Sequence, residues 1–260
     1  MRAFAPLALL TLAACEGDPL DGLNLFSVED DIQLGRDLKR EIEADPDTYP
    51  LLDEGQYPDA YDHLYRIRDE ILVSDDFTYA DTFDWELYII EDDETLNAFC
   101  APGGYIYVYT GLMRFLDVED ELAGVLGHEM AHADQRHATE QLTEIYGIST
   151  LISLALGEDP GLIAEVAASL VSLQFSRTDE SEADAYSVRY LCDTAYASDG
   201  AAGFFEKLLS DGGYEIPAFL STHPSSETRV ADIEALAESL GCNTENNPDA
   251  DYQAVLDSLP

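Results

Sequence analysis

Lysine is almost missing from this chain: only Lys39 and Lys207 occur in 260 residues. Lysine and arginine together number 12 against 54 aspartates and glutamates, a formal charge of -42 at pH 7. A chain so poor in cations repels phosphate backbones, which excludes nucleic-acid binding. The acids are scattered along the sequence, the pattern of a solvated acidic surface suited to high salt, where self-repulsion is screened. Apolar runs long enough to span a bilayer are also lacking. The most apolar stretch, Tyr146 to Phe175, is broken at Gly157-Glu158-Asp159-Pro160-Gly161 and reads as two packed helices, with a transmembrane hairpin as the open alternative. There is no Asp-x-Asp-x-Asp-Gly calcium loop and no internal repeat. Cysteines number 4, too few for a disulfide-built scaffold. What the chain does have is core material, 46% hydrophobic and 10% aromatic, which excludes wholesale disorder and suits one domain.

Against this background one short motif stands out, His128-Glu129-Met130-Ala131-His132. Residues four apart on a helix lie about 40° apart on one face, so His128 and His132 can offer two imidazoles to one ion. Glu129 is beside them, within reach of a water at an open coordination position. Two histidines, a carboxylate and a vacancy form the ligand set of a hydrolytic zinc site. Asp117 is the expected N-cap, with Glu119, Asp120 and Glu121 complementing the helix dipole. Leu122, Val125, Leu126 and Met130 give apolar residues at helical spacing, so the polar pair shares a face with core residues. Buried ionisable groups are costly unless paired or metal-bound, which favours a metal over two idle histidines.

The third ligand is harder to read. The extended motif His-Glu-x-x-His-x-x-Gly-x-x-His is excluded, because Gln135 and Ala138 stand at its last two fixed positions. His137, five residues past His132, lies well round a continuous helix and is a poor ligand. Downstream, Glu180 and Asp184 are four apart and share a helical face; one can ligate while the other accepts the N–H of a ligating imidazole. An acidic solvated face is the competing reading of this segment.

His128-Glu129-x-x-His132 with Ser176-Arg177-x-x-Glu180-x-Glu182-Ala183-Asp184 resembles metallopeptidase family forty-eight, the gluzincin family of HtpX, BepA, Oma-type and CAAX-prenyl proteases. Asn97-Ala98-Phe99-x-x-Pro102-Gly103-Gly104 and Thr222-His223-Pro224 followed by Arg229 resemble two further elements of that family, and the similarity runs from about Asp31 to Gly241. The resemblance implies one catalytic Zn2+ held by His128, His132 and Glu180, with Asp184 and Arg229 supporting it. It implies Glu129 as general base, and His223 as transition-state partner or as a fourth ligand of a latent state. It also implies that substrate backbone adds as a strand along the edge near Asn97 to Cys100, with Asn97, Ala98 and Phe99 as its contacts. The fold it implies is α+β and mostly helical, zincin-like, with a small mixed sheet beside the metal helix. Cys100 in the edge segment and the extreme acidity depart from the family and leave substrate preference open.

At the N-terminus, Arg2, the apolar Leu7-Ala8-Leu9-Leu10 and Leu12-Ala13-Ala14-Cys15 read as a lipoprotein signal peptide (1–14) cut before an acylated Cys15. Residues 15–30 are then an acylated N-terminus and tether, with Asp18 to Ser27 as its flexible part, 31–241 the zinc metallopeptidase domain, and 242–260 a loose polar tail. This predicts a membrane-anchored lipoprotein on the periplasmic side of a bacterial cell envelope. Its expected substrates are unfolded or misassembled envelope proteins. A chaperone-like or assembly lipoprotein with an idle protease site, and an aminopeptidase of another zincin branch, stay open as alternatives. Export permits disulfides; Cys192 and Cys242 are a candidate pair, and Cys100 reads as a buried free thiol.

Helices are expected at Asp31 to Ala44, around Leu64, Ile67 and Ile71, around Phe204, Phe205, Leu208 and Leu209, and around Val230, Ile233, Leu236 and Leu240, the last of these beginning near Ser225. Strands are expected at Trp85 to Ile90 and at Tyr105 to Tyr109, where tyrosines alternate with Ile106 and Val108.

Overall fold

A computed structural model of the chain describes residues 24–155, 160–170, 172–210, 218–224, 228–247 and 251–260. The expected leader, Cys15 and the first part of the tether lie outside the described residues. From Asn24 onward the chain is not a free tether. Asn24 Nδ2 donates to Thr139 Oγ1 at 2.8 Å, the Leu25 amide donates to Thr143 Oγ1 at 3.2 Å, and Phe26 is buried. Helix α1 (Val28–Ala44) begins ahead of the expected Asp31, because Ser27 and Asp30 form a capping box. Each side chain accepts from the other's backbone amide, which satisfies two of the helix's orphan donors.

Helix α2 (Pro58–Ile71) opens on proline, whose missing N–H costs nothing at a helix start, and buries Leu64, Ile67 and Ile71 completely. Three strands follow, β1 (Glu86–Ile90), β2 (Ala98–Ala101) and β3 (Tyr105–Tyr109). Their order is β1-β3-β2, with β3 parallel to β1 and antiparallel to β2. The alternation of β3 has a packing reason, since both faces of the strand are covered. Ile106 and Val108 join the larger core, while Tyr105, Tyr107 and Tyr109 pack with Leu34, Leu38 and Ile42 of α1. Tyr88, Tyr107 and Phe99 stack across all three strands, with ring centroids 5.0 and 4.7 Å apart. The β2–β3 turn needs φ of 78° and 88° at Gly103 and Gly104, a region that side chains with Cβ avoid.

The remaining helices are α3 (Thr110–Phe115), α4 (Glu119–Asp134), α5 (His137–Ala155), α6 (Pro160–Leu170), α7 (Arg177–Leu191), α8 (Gly200–Ser210), α9 (Ala218–Thr222), α10 (Arg229–Leu240) and α11 (Tyr252–Asp257). The fold is α+β and mostly helical, with the small mixed sheet beside α4. Helix α4 lies at the centre and packs on α7, α8 and β2. Nearly every residue of it is buried. A Cβ added at Gly124 would stand 2.1 Å from the Ala201 backbone nitrogen, so only glycine lets α8 sit so close.

Asp117 does not cap α4. Val118 occupies the N-cap without a side-chain bond, the Asp117 amide donates to Glu121 Oε2 at 2.7 Å, and the Asp117 carboxylate pairs with Lys207 at 2.6 Å. The only two lysines therefore both sit against acids, Lys39 lying 2.6 Å from Glu86. Of the expected break in the apolar stretch, Gly157, Glu158 and Asp159 lie outside the described residues and Pro160 opens α6; no described helix is long and apolar enough to cross a membrane. Helix α10 starts at Arg229, not near Ser225, and Leu209 and Leu240 are exposed in the last turns of α8 and α10.

Residues 242–247 and 251–260 are polar, but contacts tie them to the domain. The Tyr252 hydroxyl donates to the Met113 carbonyl at 2.5 Å, the Asn247 amide donates to Asp120 Oδ1 at 2.9 Å, and Val255 is fully buried. Cys192 and Cys242 form a disulfide with a sequence separation of 50, and Cys100 is free and buried. The bridge ties the end of α7 to the chain leaving α10; closing a loop of that size is worth about 2–4 kcal/mol.

Candidate metal centre

Four buried side chains converge at the middle of the molecule. Helix α4 supplies His128 and His132, one turn apart. Helix α7 supplies Glu180 from its first turn, started by a Ser176–Asp179 capping box of the same kind as that of α1. The turn after α9 supplies His223. One ligand atom from each lies within 4.8 Å of all the others. His128 Nε2 is 3.0 Å from His132 Nε2 and 3.3 Å from His223 Nδ1. Glu180 oxygens lie 2.9 Å from His223 Nδ1, 3.3 Å from His132 Nε2 and 3.6 Å from His128 Nε2. Ligands about 2.0–2.1 Å from a tetrahedral zinc are about 3.4 Å from one another, so these separations fit that ion. The donor set fits as well: imidazole nitrogens and a carboxylate, with both Glu129 oxygens beside them buried without completing a hydrogen bond.

Surrounding groups orient the ligands. Asp184 Oδ1 is 2.9 Å from His128 Nδ1, and Arg229 grips Asp184 through Nε at 2.6 Å and Nη2 at 2.8 Å. Arg229 Nη1 also lies 2.9 Å from Glu180 Oε2, and its guanidinium stacks 3.8 Å over the Phe205 ring. Phe175 stacks on His132 at 4.0 Å and Phe219 on His223 at 4.3 Å, which walls the imidazoles with rings. Glu182 is half-exposed on α7 and takes no place among the four ligand atoms.

Charge in this pocket is balanced by proximity. Burial works to raise the Glu180 carboxyl, but the charge of His223 and the hydrogen bonds of His132 and His223 hold it well below the usual range. Asp184 is likewise lowered against its burial by His128 and Arg229. Burial drives His132 well below its ordinary value, leaving it a neutral ligand. Glu129 is pushed up to about 8 by burial, offset in part by the charge of His128. A carboxyl near neutrality is suited to taking and giving a proton.

Glu129 faces the sheet edge. The Tyr109 amide donates to the Asn97 carbonyl at 3.1 Å, so Asn97, Phe99 and Ala101 use their backbone groups on β3, whereas Ala98 and Cys100 turn theirs outward. The Cys100 amide faces the Glu129 carboxylate without completing a hydrogen bond. Within the expected edge, Asn97 to Cys100, the outward backbone groups are thus those of Ala98 and Cys100, and Phe99 points to the far face against Tyr107. A cavity of about 180 Å³ lined by Arg177, Ser181, Ala185, Pro224, Ile233 and Leu236 opens beside Glu180.

Sequence reasoning rejected His137 as a ligand, and it is not among the four, but it missed its contact: His137 Nδ1 is 2.9 Å from His132 Nδ1. It also missed Phe175, Phe205 and Phe219. The pattern around them gives no signal beyond ordinary core spacing.

Comparison with known proteins agrees with this arrangement. The model of peptidase family M48 matches residues 62–237. The mitochondrial metalloendopeptidase OMA1 of Arabidopsis thaliana is 33% identical over 63% of this chain and 34% of its own length. The beta-barrel assembly-enhancing protease of Escherichia coli K12 is 29% identical over 60% of this chain and 35% of its own. Metalloprotease YcaL of the same organism is 29% identical over 57% of this chain and 60% of its own. The chain thus spans about a third of the first and second of these relatives. With well over half of its length matched and the four buried ligand residues inside the matched span, the chain belongs to peptidase family M48.

Proposed function

We propose that this chain is a zinc-dependent metalloendopeptidase, held by acylated Cys15 at a membrane of the bacterial cell envelope. It acts there on the periplasmic side, on unfolded or misassembled proteins. The observation that carries the reading is the group of His128, His132, Glu180 and His223 at one buried point with Glu129 beside it. The relatives named metalloendopeptidase and beta-barrel assembly-enhancing protease support the activity and the envelope setting. The apolar leader ending at Cys15 supports the anchor.

Zinc bound by these residues supplies a Lewis acid that acidifies a water and polarises the scissile carbonyl. Glu129 takes the proton of the attacking water and passes it to the leaving amine. Asp184 accepts the Nδ1–H of His128 and so keeps Nε2 free for the metal. The outward rungs of Ala98 and Cys100 hold the substrate as an added strand, which selects extended chain over sequence. His223, whose Nε2 is 3.5 Å from Glu129 Oε1, would either hold the ion with the other three ligands or donate a hydrogen bond to the developing oxyanion.

Casein cleavage by the purified chain tests the reading. Cleavage stops on chelation and returns on adding zinc. If the zinc-loaded chain binds unfolded protein and leaves it intact, the chaperone-like reading replaces this one.

A further inference from the structure

We infer that His137 is a positioning residue for His132: its Nδ1 accepts the Nδ1–H of His132, and Glu182 fixes its tautomer by accepting its Nε2–H. The inference rests on the reading of the four-residue group as a zinc site.

The argument is one of proton count. His132 Nε2 lies within the ligand group, 3.0 Å from His128 Nε2. A neutral imidazole carries one ring proton, so a His132 that ligates through Nε2 carries it on Nδ1. That atom is 2.9 Å from His137 Nδ1. Two protonated nitrogens cannot share that distance, so His137 Nδ1 is bare and the His137 proton sits on Nε2. Nε2 lies 3.4 Å from Glu182 Oε2. Donation thus runs one way, from His132 to His137 to Glu182, away from the metal-binding nitrogen. It parallels the support that Asp184 gives His128, so each α4 histidine has its own acceptor. His137 is only 3% exposed, so it does not share this bond freely with solvent.

The backbone explains how a residue five places beyond His132 comes back to it. On an unbroken helix it would lie about 140° round the axis. Helix α4 ends at Asp134, and Arg136 adopts φ of 63°, a left-handed conformation that non-glycine residues take only when held. Here it is held by an ion pair with buried Asp31 and by a 2.6 Å bond from Nη2 to the Phe26 carbonyl. The segment before α1 therefore fixes the corner that delivers His137.

Zinc affinity of the full chain, measured by chelator competition, tests this with His137→Phe and His137→Asn. Asparagine keeps an acceptor close to where Nδ1 stood; phenylalanine keeps the bulk and loses it. His137→Phe weakens zinc binding roughly 10–100-fold, and His137→Asn stays within about threefold of the parent. Equal affinity in all three proteins overturns the inference, and so does an equal loss in both variants. Nitrogen NMR of the imidazoles in the zinc-loaded parent decides the matter even if a variant fails to fold. The inference requires a proton on His137 Nε2 and none on its Nδ1; the opposite tautomer overturns it. If the parent binds no zinc, it is the reading of the site that fails, not the role of His137 within it.

Discussion

Replacing Glu129 with glutamine is expected to lower peptide hydrolysis by roughly 10²–10⁴-fold, the usual worth of a general base, with zinc content and fold unchanged. Glutamine has the same shape and still positions a water, but it cannot take up a proton. The Glu129 side chain is buried and its oxygens complete no hydrogen bond, with His223 Nε2 no nearer than 3.5 Å, so little structural bonding is lost. Removing a carboxylate that burial has pushed up to about 8 relieves a strained charge, so stability should hold or rise slightly. Turnover of a quenched fluorescent peptide, with zinc counted per chain, checks both halves. Turnover within tenfold of the parent would take Glu129 out of the mechanism.

Arg229→Ala is expected to be the most damaging change for stability, costing about 3–5 kcal/mol, as breaking a buried ion pair does. Arg229 is 4% exposed and touches two carboxylates, Asp184 and Glu180. Its loss leaves both charges buried, next to Glu129, and removes the ring contact with Phe205. Lysine at this position keeps a charge but cannot bond Asp184 through two nitrogens, so it should rescue only part of the loss. Urea unfolding of the metal-free protein reads the cost without interference from zinc. A loss under about 1 kcal/mol would mean that the pair is solvent-screened like a surface bridge.

Much of the site was legible because its chemistry is local in sequence. His128, Glu129 and His132 need only helical geometry to meet, and the Glu180 to Asp184 spacing needs no more. Bringing α7 to α4 is a tertiary event; in a chain with 54 acids, only resemblance separated Glu180 from a solvated face. Which rungs of the edge face outward was not legible, since that depends on the register of β2 on β3, which spacing alone does not set. His137 was misplaced because a continuous helix was assumed through Arg136. The stop there comes from contacts with Asp31 and Phe26, more than a hundred residues away. The start of α1 carried its signal in Ser27 and Asp30, but in the shorter acid variant of the capping box. The packing of residues after Gly241 was hidden because backbone groups and a few residues such as Tyr252 and Val255 do the docking in a polar segment.

The same acidity that excludes nucleic acid also frames the centre. The buried acids of the centre are each matched by a cation or an imidazole, and elsewhere buried Asp31 and Glu119 pair with Arg136 and Arg66, while the exposed acids are screened by salt. Function and charge balance therefore meet at Glu180, a carboxylate that is affordable in the core only because histidines and Arg229 surround it.

X-ray absorption at the zinc edge of the zinc-loaded protein tests the central claim most directly. One ion per chain with two or three imidazole nitrogens and carboxylate oxygen at about 2.0–2.2 Å, the oxygen signal changing in Glu180→Ala, is the predicted result. Zinc held without Glu180, or a spectrum unchanged by substituting His128 and His132, would contradict it.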